Sequence, residues 1–329
     1  MPDTERYENI VEVIKYLEPN HILGECLERK GVAVKHPHFE FMTMLDGRIA
    51  ALSFSGNFVF YRGENGVYPS CKASLYRIPE RDDRIIALLK AYDFMVFLET
   101  LPEVQNYILE NRYYVPWALA QHYEFATPMI DLTNEIAVAA FFATHYYDRV
   151  SKQYLLVKEG IGRIRGVSVF MDPELKGPLK PIGMQPFARP DRQDGYGYWI
   201  PENMDFADQS FCVEFIQDYD VNLRLKTATM GGAEYYFPNE VLSQMAAIIK
   251  STNAVTTMAI ETMLDDIASG ASYISPQVSR ADIERVVRER KIFVVDAPVI
   301  CPEAMPHRGS AFINESRLIV EPAYRKGAV

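Results

Sequence analysis

Residues 57–66 read NFVFYRGENG. Phe58, Val59, Phe60 and Tyr61 are the aromatic and β-branched residues of a strand inside a protein, and the run stops abruptly at Arg62-Gly63-Glu64. A strand that leaves the core on an arginine presents a planar guanidinium fork at the core's rim, a shape suited to phosphate or carboxylate oxygens. The glycine after it leaves the backbone open to close approach by a ligand. The competing assignment is structural: an arginine paired with a carboxylate, Asp131 above all, that ties two elements together.

Upstream, a helix is expected from about Thr4 to Leu17, then strands in FEFMTML (39–45) and RIAALSF (48–54) around a turn at Asp46-Gly47. Downstream, apolar positions from Ile85 to Ile108 recur at helical spacing with a break near Leu101-Pro102, which predicts two helices. The densest segment is VPWALAQHYEFATPMIDLTNEIAVAAFFATHYY (115–147). It predicts a helix over 116–124, an extended piece from Thr127 to Asp131, and a second helix capped by Thr133 or Asn134. That second helix is apolar on nearly every face and belongs in the core, which leaves Asp131 and Thr133 as polar groups at the mouth of a buried helix.

Beyond residue 162 the texture changes to strands, RGVSVFM (165–171), FCVEFI (211–216) and VNLRL (221–225), around the loop PIGMQPFARPDRQDGYGYW (181–199). One long helical region is expected over 238–269, and a last strand in KIFVVDAPVI (291–300). The domain reading is an N-terminal extension over 1–50, a central domain over 51–250 and a C-terminal extension over 251–329 packed on the core.

The chain has 329 residues, 48% of them hydrophobic, enough for a sizeable core, and a net charge of −10. That balance argues against gripping nucleic acid or anionic membrane with the whole surface, though a local basic patch is compatible with it. Cys26, Cys71, Cys212 and Cys301 are scattered without paired spacing, so neither a zinc site nor a disulfide framework is indicated, and no metal is expected. The start, MPDTERYENIVEVIKYLEPN, is acidic and amphipathic rather than a signal peptide. No segment approaches the roughly 18 uninterrupted apolar residues of a membrane span, so a soluble cytoplasmic protein is the expectation.

Familiar catalytic signatures are missing: no Walker loop, no dinucleotide fingerprint, no nucleophile elbow, no paired histidines on a helix. His36 and His38 flank Pro37 in a surface-loop pattern. His122, near the end of a buried helix, reads first as a satisfied core histidine. A buried carboxylate at Asp131 needs a strong partner, and Arg62 is the obvious one.

The order YRG (61–63), LAQHYEFATPMIDLT (119–133) running into AVAAFFAT (137–144), RQDGYGYW (192–199) and EYYFP (234–238) resembles the FRG domain, named after its Phe/Tyr-Arg-Gly motif. The resemblance covers roughly residues 50–250. Gln121, His122, Thr127, Asp131, Thr133, Phe142, Ala143, Gln193 and Gly195 stand where the family has them. The chain departs at Glu124, where the family favours glycine, at Leu132, where tryptophan is common, and at Tyr198, a displaced aromatic.

What the resemblance implies is an α+β fold, a split and strongly bent mixed sheet of the ADP-ribosyltransferase type with surrounding helices and NAD in the cleft. The implied activity is NAD-dependent ADP-ribosyl transfer, as a toxin or defence effector with a possible antitoxin partner, to RNA, single-stranded DNA or protein. Arg62 would then hold the NAD phosphate and ribose, with Gly63, His122, Tyr123, Thr127, Thr133 and Tyr196 around the nucleotide. The oxocarbenium-like transition state calls for an acceptor or carboxylate. The resemblance points to Gln193 and Asp131, with Glu64, Glu124 or Glu234 as substitutes, and to Tyr123, Tyr196 or Tyr198 as a nicotinamide shelf. The aromatic-rich GYGYW (195–199), the neighbouring Arg189 and Arg192, and RVVRERK (285–291) lean toward a nucleic acid acceptor, although a charge run on a helix usually marks its solvated face. The alternatives are a non-catalytic nucleotide- or protein-binding module and an NAD glycohydrolase.

Overall fold

The computed structural model describes residues 6–17, 39–43, 49–53, 58–102, 104–105, 115–148, 150–151, 153–169, 178–182, 187, 189, 193, 195–229, 233–237 and 241–296. In chain order these form β1 (Arg6–Tyr7), α1 (Ile10–Leu17), β2 (Phe39–Thr43), β3 (Ile49–Ser53), β4 (Phe58–Glu64), a 3-10 turn (Ser74–Arg77) and α2 (Arg81–Glu99). There follow α3 (Pro116–His122), β5 (Met129–Thr133), α4 (Ile136–Thr144), β6 (His145–Asp148), β7 (Gln153–Leu156), β8 (Ile161–Val169), β9 (Leu179–Pro181) and β10 (Gly195–Trp199). After a second 3-10 turn (Phe206–Asp208) come β11 (Phe211–Ile216), α5 (Tyr219–Thr229), α6 (Ala233–Tyr236), α7 (Val241–Ser251), β12 (Ala254–Thr256), α8 (Thr257–Ala268), α9 (Arg280–Glu289) and β13 (Phe293–Val295).

The main sheet runs β1-β11-β8-β4-β5-β10-β9, with β3 also on β4 and β2 outside β3. It is mixed, because β1 lies parallel to β11 while the other pairs are antiparallel. β4 is the branch point. One edge is paired to β8 from Phe58↔Val169 to Glu64↔Arg163. The other is shared by β3, at Leu52↔Phe58, and β5, at Tyr61↔Thr133. Beyond Tyr61 no described strand is in register with that second edge, so the sheet forks at Arg62.

Apolar packing explains the two sides of β4. Val59 and Tyr61 enter a core with α1, α4 and Phe215. Phe60 enters a larger core that also holds α2, α3 and the helices after residue 241. Asp82 and Asp83 in the first turn of α2 suit its positive end. Its buried Lys90 donates to the carbonyls of Thr252 (2.7 Å) and Ala254 (2.6 Å). One turn on, Asp93 accepts from Thr256 N (2.9 Å) and Thr256 Oγ1 (2.7 Å). The C-terminal helices are thereby fastened to the core by two buried charged groups.

Several expectations need correction. Thr133 is the last residue of β5, held there by register with Gly195, and α4 starts at Ile136 with Glu135 as its N-cap, so neither Thr133 nor Asn134 caps it. Residues 221–225, expected as a strand, are helical, because Asp218 Oδ1 accepts from Asp220 N and Val221 N at 3.0 Å each and starts a turn. The single helix over 238–269 is two, interrupted by β12, with Thr256 capping α8 through a 3.0 Å bond from Ala259 N. Cys26, His36, His38, Arg192 and Cys301, and the side chain of Glu234, lie outside the described residues.

Candidate functional site

Arg62 stands at the fork. Its Nη1 donates to the Asp131 backbone carbonyl at 3.0 Å, and its Nε is buried without a hydrogen-bond partner among the described residues. The expected ion pair with the Asp131 carboxylate is therefore absent. The neighbouring Glu64 is buried and taken by Arg165 (Nε to Oε2, 2.9 Å), so it does not neutralise Arg62 either. Arg62 lies two residues from Phe60 and shares its sheet face. Tyr196, half-buried, packs on Phe60 with ring centroids 4.6 Å apart.

Gly63 does not open a path for a ligand. A Cβ there would lie 1.9 Å from the Ala139 carbonyl oxygen and 2.6 Å from Ala143 N, so the glycine is the seat of α4. The same reasoning explains GYGYW: a Cβ on Gly195 would lie 2.4 Å from His122 Nε2, and one on Gly197 would lie 2.7 Å from Met129 Cε. These glycines admit α3 and its neighbours against β10.

α3 carries the polar centre. Gln121 Oε1 accepts from Ser74 Oγ (3.2 Å) and from Thr127 Oγ1, and Gln121 Nε2 donates to Asp131 Oδ2 at 3.0 Å. Thr127 is fully buried and its N donates to Ser74 Oγ at 3.0 Å. Asp131 is not the buried carboxylate that was expected: its side chain is 42% exposed, although Oδ1 itself is covered and unpartnered. His122 Nε2, also unpartnered, is 3.9 Å from that Oδ1. Burial pulls the His122 pKa down to about 4, more than the Asp131 charge restores, so the imidazole is neutral near pH 7 and the contact is no salt bridge.

Other expected site residues are engaged elsewhere. Gln193 is buried; its Nε2 donates to the Tyr236 carbonyl (2.8 Å) and its carbonyl accepts from Thr133 Oγ1 (3.1 Å), making it a strut between β5 and α6. Tyr123 is 1% exposed and packs against Phe94 and Phe187, which rules it out as an open shelf. Tyr198 Oη donates to Gln209 Oε1 at 3.1 Å. Glu124 has φ +66, the left-handed conformation that glycine adopts most cheaply. Its carboxylate meets Arg189 (3.1 Å) and Lys250 (3.5 Å), while Arg189 stacks over Phe237 at 4.6 Å.

The basic run at 285–291 is also committed. Arg285 binds Asp82 and Arg290 binds Asp83, each at 2.7 Å, which pins α9 to the start of α2 and removes two charges from a nucleic acid surface. A separate hollow of about 450 Å³, lined by residues including Asn9, Lys15 and Arg224, lies between α1 and α5. It gathers none of these polar residues. Ser74 and Gln121, which organise Thr127 and Asp131, were not singled out as site residues; the recurrence of Gln121 beside His122 in the resemblance was the available signal.

The class defined by this architecture is a mixed α/β protein with a forked sheet and an arginine at the fork. Residues 57–152, which hold β4, the fork and the α3–β5–α4 unit, match the family model of the FRG domain. Neither the curated proteins nor the solved structures compared with the chain include a match. Among the described residues, no helix is long and apolar enough to cross a membrane, and no group of three or more metal-ligating side chains occurs.

Proposed function

We propose that the chain binds NAD at the fork between β4 and β5 and cleaves its nicotinamide–ribose bond, passing ADP-ribose to a nucleic acid or protein acceptor. The carrying observation is Arg62: its buried Nε lacks a partner, Glu64 is ion-paired to Arg165, and Asp131 meets Arg62 through its backbone carbonyl rather than its carboxylate. A desolvated guanidinium with spare donors suits a phosphate oxygen. Tyr196, on the Arg62 face, supplies an aromatic surface for a ring.

In this reading the C1′–N bond breaks with its electron pair passing to nicotinamide, which departs neutral. The half-exposed Asp131 stabilises the oxocarbenium-like ribose, the acceptor's oxygen or nitrogen forms the new bond to C1′, and its proton passes to Asp131. Gln193 holds the local fold instead of touching substrate. The branching of the sheet at β4 is compatible with an ADP-ribosyltransferase arrangement, in which a toxin or defence role with an antitoxin partner would fit. One observation supports a second reading, a non-catalytic binding module: the amide of Gln193 is spent on the Tyr236 carbonyl.

The test is nicotinamide release from NAD by the purified chain, with total RNA, single-stranded DNA or cell protein added in turn, beside Arg62→Ala and Asp131→Asn. Release that depends on one acceptor and disappears in both variants is expected. Release without acceptor assigns a glycohydrolase, and no release from a folded wild type removes the catalytic reading.

A further inference from the structure

Arg77 closes the 3-10 turn Ser74–Arg77. That turn is fixed against the α3–β5 connection: Leu75 N donates to the Thr127 carbonyl at 3.2 Å, and Ser74 Oγ bonds Gln121 and Thr127. Residues i and i+3 of a 3-10 turn stand above one another, so Arg77 lies on the side that Ser74 presents to Gln121. Gln121 in turn holds Asp131 Oδ2, and the Asp131 carbonyl holds Arg62. The turn that bears Arg77 and the strand that bears Arg62 are thus joined by a continuous chain of hydrogen bonds at one fork.

Their charge is only partly compensated. Glu64 is ion-paired to Arg165, and Asp131, whose bond from the neutral Gln121 amide leaves its charge in place, is one carboxylate facing two guanidiniums. Arg77 is exposed and makes no hydrogen bond or ion pair among the described residues, while the Arg62 Nε is buried and unpartnered. Arg77 keeps an open surface but is partly crowded by neighbouring protein, which, followed by the Arg62 charge, lowers its pKa against smaller raising effects of Cys71, Asp131 and Glu64. Like charges held together by the fold favour a multiply charged anion between them.

We infer that Arg62 and Arg77 form a two-guanidinium clamp for a diphosphate, Arg62 holding one phosphate from within the fork and Arg77 the other from its rim. The ligand class is a nucleoside diphosphate ester rather than a monophosphate; the nucleoside part of this assignment rests on the NAD reading above. Arg77 is a binding residue and has no part in bond cleavage.

Isothermal titration with inorganic pyrophosphate, inorganic phosphate, ADP-ribose and AMP tests the clamp in the wild type, Arg62→Gln, Arg77→Gln and Arg77→Lys. Pyrophosphate and ADP-ribose should bind at least about tenfold more tightly than phosphate and AMP, and each glutamine variant should lose about tenfold or more in ADP-ribose affinity. Arg77→Lys should recover only part, because an ammonium lacks the planar fork. The melting temperature of Arg77→Gln should match the wild type, since the side chain is exposed. Wild-type affinity in Arg77→Gln, or AMP binding as tight as ADP-ribose, overturns the clamp. Nicotinamide release at subsaturating NAD that is unaffected by Arg77→Gln would remove the clamp and leave the transferase reading. Arginine-dependent ADP-ribose binding without any nicotinamide release would do the reverse.

Discussion

An alanine at Gly63 would drive its Cβ to 1.9 Å from the Ala139 carbonyl, a backbone atom that cannot rotate away. Gly63→Ala should therefore cost at least about 3 kcal/mol or prevent folding, the upper end of overpacking effects, and urea denaturation measures it. A cost below about 1 kcal/mol would mean that α4 is not seated on that glycine. Arg62→Ala should behave differently. Its loss removes one hydrogen bond to a carbonyl rather than a buried ion pair, so it should cost about 1–2 kcal/mol while abolishing ligand binding. A loss of about 3–5 kcal/mol would instead identify a buried ionic lock.

The turn between α3 and β5 sets a backbone preference against side-chain contacts. Glu124 bears left-handed strain of about 1 kcal/mol, and its ion pairs with Arg189 and Lys250 are worth about 0–1 kcal/mol because the carboxylate is 61% exposed. Glu124→Gly relieves the strain and loses the pairs; Glu124→Ala loses the pairs and keeps the strain. The glycine variant should thus be at least as stable as the alanine variant, contrary to the usual order in a helix. Paired thermal melts decide this, and a clearly more stable alanine variant would show that the strain is negligible.

For the whole molecule, stability depends on two buried histidines. His122 and His145 are both pulled down to about 4 from the usual 6.5, chiefly by burial; Asp131 and Arg189 act on His122, and the Phe141 carbonyl and Lys226 on His145. Between those values the unfolded chain binds protons that the fold refuses, so stability is complete above about pH 6.5 and falls as pH drops toward 4. Each histidine can contribute up to about 3 kcal/mol to that fall. The carboxylates held low by arginines, such as Glu214, lose their share only in more acidic solution. Urea midpoints from pH 7.5 to 4.5 should decline, with a shallower slope in His145→Phe; equal slopes would place the acid lability elsewhere. A second global prediction concerns the C-terminal helices: Asp93→Ala strands Thr256 N and Oγ1 in the core and should cost about 2–4 kcal/mol, with hydrogen exchange in 257–268 quickening first.

The sequence by itself determined what short-range chemistry can specify. The aromatic run to Tyr61 makes β4, the wholly apolar AVAAFF makes a buried helix, and YRG with QH, Thr127 and Asp131 carries the resemblance to the FRG domain, whose family model matches residues 57–152. Tertiary structure decided what each polar residue faces. Asp131 looked buried because its neighbours in sequence are apolar, yet the fork leaves its side chain half-open; Gln193 looked catalytic, yet it folds inward onto Tyr236. Gly63 looked like an opening and is filled by α4, whose contact comes from more than seventy residues downstream. The physical reason is common to all three. Periodicity and propensity act over a few residues, whereas burial and hydrogen-bond partners are set by segments that meet only when the sheet closes around β4.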